Sequence, residues 1–152
     1  MKVLVSYFSA SGVTKKVAEE FAALYQGDLF EIEPVEKYTD ADLDWRDSNS
    51  RSSVEMNNRD YRPAVAKKVE NLGDYDKVIL GFPVWWDVAP TVVNTFIEEN
   101  DLSGKDIYVF VTSGGSTVDG SIADLRQRYP NLHFVDAKRV QHVTDDLATW
   151  IM

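Results

Sequence analysis

At 152 residues and 17.2 kDa the chain has the length of a single domain spanning residues 1–152, which excludes a second independently packed unit. Hydrophobic residues at 44% and charged residues at 27% exclude a disordered or fibrous chain and predict a soluble globular one. With 25 acidic against 16 basic side chains the formal charge is -9, which disfavours nucleic acid and anionic membrane surfaces and favours a cationic partner.

In chain order, Val3 to Phe8 is a short, nearly continuous apolar run, as expected of a strand covered on both faces. Val13, Val17, Phe21 and Leu24 then recur at steps of four, four and three. That spacing lays one apolar stripe along a helix that Gly27 can terminate. A weaker run at 28–33 reads as an outer strand. From Pro34 to Arg62 no period holds; this stretch carries mixed charges and Trp45 and is predicted to be the longest loop. A second helix is predicted from Pro63, a residue suited to a first helical turn, towards Leu72 and Gly73. Val78–Phe82 and Ile107–Val111 are two further continuous apolar strands. Between them a helix follows Pro90, with Val92, Val93, Phe96 and Ile97 facing inward, and ends near Asn100. Helical stretches near 119–129 and 144–151 flank a last outer strand at 134–140.

Strands alternating with helices through short connections predict an α/β architecture: a three-layer, doubly wound, five-stranded parallel sheet with right-handed crossovers. In such sheets a ligand sits at the carboxyl ends of the strands where the strand order reverses. The loops after the first, third and fourth strands are therefore the candidate site.

The first of these loops reads Ser9-Ala10-Ser11-Gly12-Val13-Thr14 and opens into a helix. Free amides and the positive end of the helix dipole favour an anion there, Gly12 permits close approach, and three hydroxyls can donate to phosphate oxygens. Ser11 also suits a plain N-cap. The second loop contains Pro83-Val84-Trp85-Trp86. Two adjacent tryptophans cannot both point into one core, and an exposed indole in a cleft is suited to cover a flat heteroaromatic ring. The third loop, Thr112-Ser113-Gly114-Gly115-Ser116, offers hydroxyl donors and two glycines that can approach a ligand closely or take positive φ.

Several function classes are excluded by residues. Neither a Gly-x-x-x-x-Gly-Lys nor a Gly-x-Gly-x-x-Gly run follows the first strand. Cysteine is absent, which removes disulfides, thiolate metal sites and a catalytic thiol and suits a reducing, cytoplasmic location. The two histidines, His133 and His142, flank an edge strand and read as surface residues, so neither a serine hydrolase nor a metal site is expected. No apolar run approaches the roughly 20 residues of a membrane span, and no signal peptide is evident.

Taken together, the three loops resemble those of the flavodoxins, and the resemblance covers essentially the whole chain. Val5 to Thr14 is similar to the family's phosphate loop, Pro83 to Trp86 to its first flavin loop and Thr112 to Ser116 to its second. In flavodoxins the strand order 2-1-3-4-5, with flavin mononucleotide (FMN) at the switch point, is the established arrangement. The resemblance implies that Ser9, Ala10, Ser11, Gly12, Val13 and Thr14 surround the phosphate. It places Pro83, Val84, Trp85 and Trp86 along one side of the ring, and Thr112, Ser113, Gly114, Gly115 and Ser116 along the other, bonded to the pyrimidine edge. Lys15 and Lys16 read as solvated surface. It further implies a low-potential electron-transfer protein that docks redox partner proteins bearing a basic surface. Unlike the best-known flavodoxins, the second flavin loop carries no aromatic ring, so one flavin face is expected to be open. That opening admits the alternative of an FMN-dependent NAD(P)H or quinone reductase, with Arg46, Arg51, Arg59 and Arg62 of the long loop contributing to a lid.

Overall fold

Residues that are apolar on both faces of a strand must be covered by helices on both sides, and the structure meets that demand. The computed structural model describes residues 2–152. Five strands, β1 (Val3–Tyr7), β2 (Asp28–Glu31), β3 (Lys77–Pro83), β4 (Asp106–Thr112) and β5 (His133–Arg139), form one sheet in the order β2-β1-β3-β4-β5. All four pairings are parallel, with Val5 opposite Leu29 on one side and Ile79 on the other. The α-helices among the described residues are α1 (Val13–Tyr25), α2 (Arg51–Asn57), α3 (Thr91–Glu99) and α4 (Asp119–Arg128).

Two cores lie on opposite faces of the sheet. Val78, Leu80 and Phe82 of β3 and Ile107, Val109 and Val111 of β4 meet Val92, Val93, Phe96 and Ile97 of α3 and Leu125 of α4. On the other face Val3, Val5, Ile79, Tyr108 and Phe110 meet Val17, Ala18 and Phe21 of α1, with Leu147 and Ile151 from the chain end. Gly81 makes room for this second core: a Cβ there would lie 2.0 Å from Cζ of Phe110, whose ring tilts against Phe21 at 5.0 Å. Ser6, fully buried inside β1, donates its hydroxyl to the Ile79 carbonyl at 2.9 Å, so the strand carries no unsatisfied polar group there.

Three sequence expectations are corrected. No helix runs from Pro63 to Gly73; Ala66 N donates to the Glu33 carbonyl at 2.7 Å and Val35 N to the Ala64 carbonyl at 2.9 Å, an antiparallel bridge that uses these groups. Only Leu72–Asp74 closes a 3₁₀ turn. Val65, Val69 and Leu72 still pack on the first core, so their helix-like spacing serves an extended segment. The stretch 34–62, expected to be irregular, contains α2, whose N-cap Ser50 accepts from Ser53 N. At the chain end the expected helix is a 3₁₀ stretch, Asp145–Thr149. In addition, the left-handed position that ends α1 is taken by Gln26 (φ 53°) rather than Gly27.

Candidate functional site at the carboxyl edge of the sheet

The strand order reverses between β1 and β3, so the loops following these strands face each other across the sheet edge. After β1, Phe8 N is held by the Gly81 carbonyl at 3.0 Å, and the chain turns through Ser9–Gly12 into α1. Gly12 itself is the N-cap, at φ 94°, a left-handed angle that disfavours any side chain. A Cβ at Gly12 would have no atom within 4 Å, so the backbone angle, not crowding, requires glycine and leaves open space over the helix start. No side chain caps α1, which leaves its first amides for an external acceptor. Ser11 is exposed and is not the cap, while Ser9 Oγ accepts from Gly12 N at 3.0 Å. Val13 is exposed, Ala10 half-buried, and Lys15 and Lys16 point to the surface. Lys16 and His142 border the same shallow depression as Ser11 and Gly12.

The second loop is a two-residue hairpin. Trp85 N donates to the Val88 carbonyl at 2.9 Å and Val88 N to the Trp85 carbonyl at 3.1 Å. Its two central residues, Trp86 and Asp87, have φ of 50° and 65°. These are angles of a type I′ turn, normally filled by asparagine and glycine, so each residue carries strain on the order of 1 kcal/mol or more. The hairpin is held from below by α4. A Cβ on Gly120 would lie 2.6 Å from the Asp87 carbonyl oxygen, and the buried Ser121 hydroxyl donates to that oxygen at 3.4 Å. The two indoles diverge. Trp85 packs edge-on against Phe8 (5.7 Å) and Tyr38 (5.4 Å), whereas Trp86 stays 49% exposed.

Hydrogen bonds join the third loop to the other two. Val84 N donates to the Thr112 carbonyl at 3.1 Å, and the buried hydroxyls of Thr14 and Thr112 lie 2.8 Å apart. Ser113 organises the turn: its Oγ accepts from Gly115 N (3.1 Å) and Ser116 N (2.7 Å). Its carbonyl accepts from Arg139 Nε (3.1 Å) and Nη2 (2.7 Å) and from Gln141 Nε2. Neither Gly114 nor Gly115 adopts positive φ, so of the two uses expected for them only close approach remains.

A cavity of about 420 Å³ collects Ala10, Ser11, Pro83, Val84, Trp85 and Trp86 from the first two loops. Its remaining wall, Leu43, Trp45 and Ser52, comes from the long segment after β2, of which the sequence reading singled out only the arginines for a lid. Thr112–Ser116 do not line this cavity; they reach the site only through the hydrogen bonds to Val84 and Thr14. The long segment is anchored beneath Trp85 by a compact polar cluster. Tyr38 donates to Glu55 Oε1 at 2.5 Å, Arg51 Nε donates to Glu55 Oε2 at 2.8 Å, and the Arg51 guanidinium lies 3.9 Å from the centre of the Tyr38 ring. Burial, then the bond to Glu55, pushes the Tyr38 hydroxyl far above its ordinary pKa. Glu55 is 3% exposed and its charge is matched by Arg51.

Of the four arginines expected in a lid, Arg51, Arg59 and Arg62 are committed to ion pairs and Arg46 is largely exposed. Arg59 pairs with Asp124 at 3.1 Å and donates to the Ala89 carbonyl, Arg62 pairs with Glu98 at 2.9 Å, and Arg46 lies beside Asp44 at 3.5 Å. The Arg59 and Arg62 pairs lace the segment to α4 and α3, the Arg46 and Arg51 pairs stay within it, and no arginine lines the cavity. Among the described residues no cluster of His, Asp and Glu is arranged to hold a metal ion, and no helix is long and apolar enough to cross a membrane.

Comparison with known proteins agrees with this fold. A candidate flavoprotein from Bacteroides eggerthii shares 46% identity over 99% of this chain and 95% of its own, with a TM-score of 0.96. A second from Bacteroides uniformis shares 42% over 99% and 97%, with a TM-score of 0.94. A flavoprotein from Lactobacillus acidophilus, solved in complex with FMN, has the same fold at 24% identity, covering 91% of this chain and 92% of its own with a TM-score of 0.75. No curated protein matches the chain. The family model described as Flavodoxin matches residues 2–152, and the chain belongs to the flavodoxin family.

Proposed function

We propose that the chain binds FMN non-covalently at the carboxyl edge of the sheet and serves as a low-potential electron carrier. The observation that supports this most is the convergence, at the switch point, of an uncapped helix start, a hydroxyl-rich third loop and a half-exposed indole beside an apolar cavity. Each part suits one part of FMN. The hydroxyl of Ser11 and the amides that open α1 from Val13 hold the phosphate beside Ser9, whose Oγ takes the Gly12 amide, and the open space at Gly12 admits it. Thr14 joins them through the hydroxyl it shares with Thr112. Pro83 to Trp86 supply an apolar surface for the ring. In the third loop the amides of Gly115 and Ser116 are already taken by Ser113 Oγ, so Gly114 is the amide of the Gly-Gly pair left for the pyrimidine edge.

Bound FMN would supply the redox chemistry, while the protein supplies binding, orientation and electrostatics. A formal charge of -9 disfavours added negative charge on the ring and so lowers its potential, and it steers a partner with a basic surface. A direct NAD(P)H reductase is the weaker reading, because Arg51, Arg59 and Arg62, three of the four arginines that would receive a dinucleotide's phosphates, are held in ion pairs outside the cavity. Anaerobic mixing of the FMN-loaded protein with NADH or NADPH separates the two. A carrier keeps its yellow absorbance until a flavoprotein reductase is added; rapid bleaching by the nucleotide alone contradicts the carrier reading.

A further inference from the structure

We propose that Trp45, on the segment between β2 and α2, is a second aromatic wall of the flavin site, taking the place of the ring that the third loop lacks. This inference rests on the reading of the cavity as an FMN site and adds a residue to it.

The chain has four tryptophans, and two are accounted for by packing. Trp85 sits against Phe8 and Tyr38, and Trp150 against Phe21 and Tyr108 with its Nε1 donating to Asp136. The other two, Trp45 at 71% exposure and Trp86 at 49%, pair with no aromatic ring among the described residues, and both line the cavity of about 420 Å³. Two large apolar side chains left in water on the same concave surface mark a binding surface. Their shared geometry suits a flat ligand, because indole gains most from offset or edge contact with another ring.

Trp45 is held in place by its backbone. Thr39 N donates to Asp42 Oδ2 at 2.9 Å and Asp42 N to Thr39 Oγ1 at 3.2 Å, a reciprocal cap. On the far side Ser50 N donates to the Asp47 carbonyl at 3.0 Å and Ser52 N returns to the Asp42 carbonyl at 2.9 Å. The turn carrying Trp45 is thus closed at its base and tied through α2 to the Glu55 cluster under Trp85. With the backbone already fixed, binding a ring orders only the side-chain torsions of Trp45.

Fluorescence titration of the wild type and of Trp45→Ala and Trp45→Phe with FMN tests this, with Val54→Ala, an exposed position outside the cavity, as control. The expected result is about tenfold weaker FMN binding and brighter residual flavin emission in Trp45→Ala. Trp45→Phe is expected to recover most of the affinity, and Val54→Ala to match the wild type. Because Trp45 is largely exposed, its loss leaves folding intact and the comparison valid. FMN binding in the wild type with unchanged affinity and quenching in Trp45→Ala overturns the proposal while leaving the FMN site standing. No binding by the wild type removes the FMN reading itself.

Discussion

Trp85 and Trp86 are neighbours in sequence with opposite physical roles, and mutation separates them. Trp86→Ala removes a half-exposed ring and is expected to leave thermal stability near wild type while weakening FMN binding by about 1–2 kcal/mol, read by titration. Trp85→Ala empties a space between Phe8 and Tyr38 and is expected to lower stability by about 3 kcal/mol in denaturant unfolding. Equal effects of the two changes on stability would contradict this division. Likewise Gly81→Ala drives a methyl into the Phe110 ring and is expected to cost about 1–3 kcal/mol. The divergence of the two indoles was legible because adjacent side chains must point apart. Which of them is exposed was not legible, since it depends on Tyr38, 47 residues before Trp85, arriving beneath one of them.

At the scale of elements, β1, β3, β4, α1 and α3 were legible because continuous apolar runs and apolar stripes at helical spacing have few alternative uses. The segment 34–73 was not. Val65, Val69 and Leu72 have helical spacing, yet the backbone groups of Ala64 and Ala66 pair with Val35 and Glu33, and Val69 N donates to Asn100 Oδ1. Helix α2 was invisible because Arg51–Asn57 carries no apolar stripe; a buried salt bridge and a serine cap hold it instead. Tyr38→Phe, which leaves Glu55 with Arg51 alone, is expected to lower stability by about 1–2 kcal/mol. The hairpin at 85–88 and the start of α4 form a second coupled pair. Gly120→Ala would press on the Asp87 carbonyl and shift the hairpin, so FMN binding is expected to weaken severalfold, read by titration. Wild-type affinity in that variant would show that the hairpin tolerates displacement. Gly120 escaped sequence reading because its contact lies more than thirty positions away.

For the whole molecule, ionisation sets the range of pH over which the fold holds. Hydrogen bonds from Arg62, and then from Tyr129, hold the Glu98 carboxyl below its ordinary 4.5, and the Trp150 indole does the same for Asp136 below 3.8. Depressed carboxyls stabilise the fold above their ordinary values, and that contribution is lost as pH falls through the depressed ones. Glu98→Gln is therefore expected to flatten the fall in melting temperature below about pH 4.5. At the alkaline end burial pushes Tyr7, Tyr25 and Tyr129 up to about 12, so their contribution is full below the ordinary 10.0 and disappears as pH approaches 12. A melting curve followed from pH 9 to pH 12 should show that loss on the alkaline side.

The acidic surface acts at the same scale, and association with a basic redox partner is expected to slow steeply with added salt. Beneath all of these expectations lies the FMN site. Its most direct test is calorimetric titration of the folded, cofactor-free protein with FMN. The account predicts one FMN per chain, bound with sub-micromolar affinity and giving a yellow complex with quenched flavin emission. A folded sample that takes up no heat and stays colourless at millimolar FMN would contradict it.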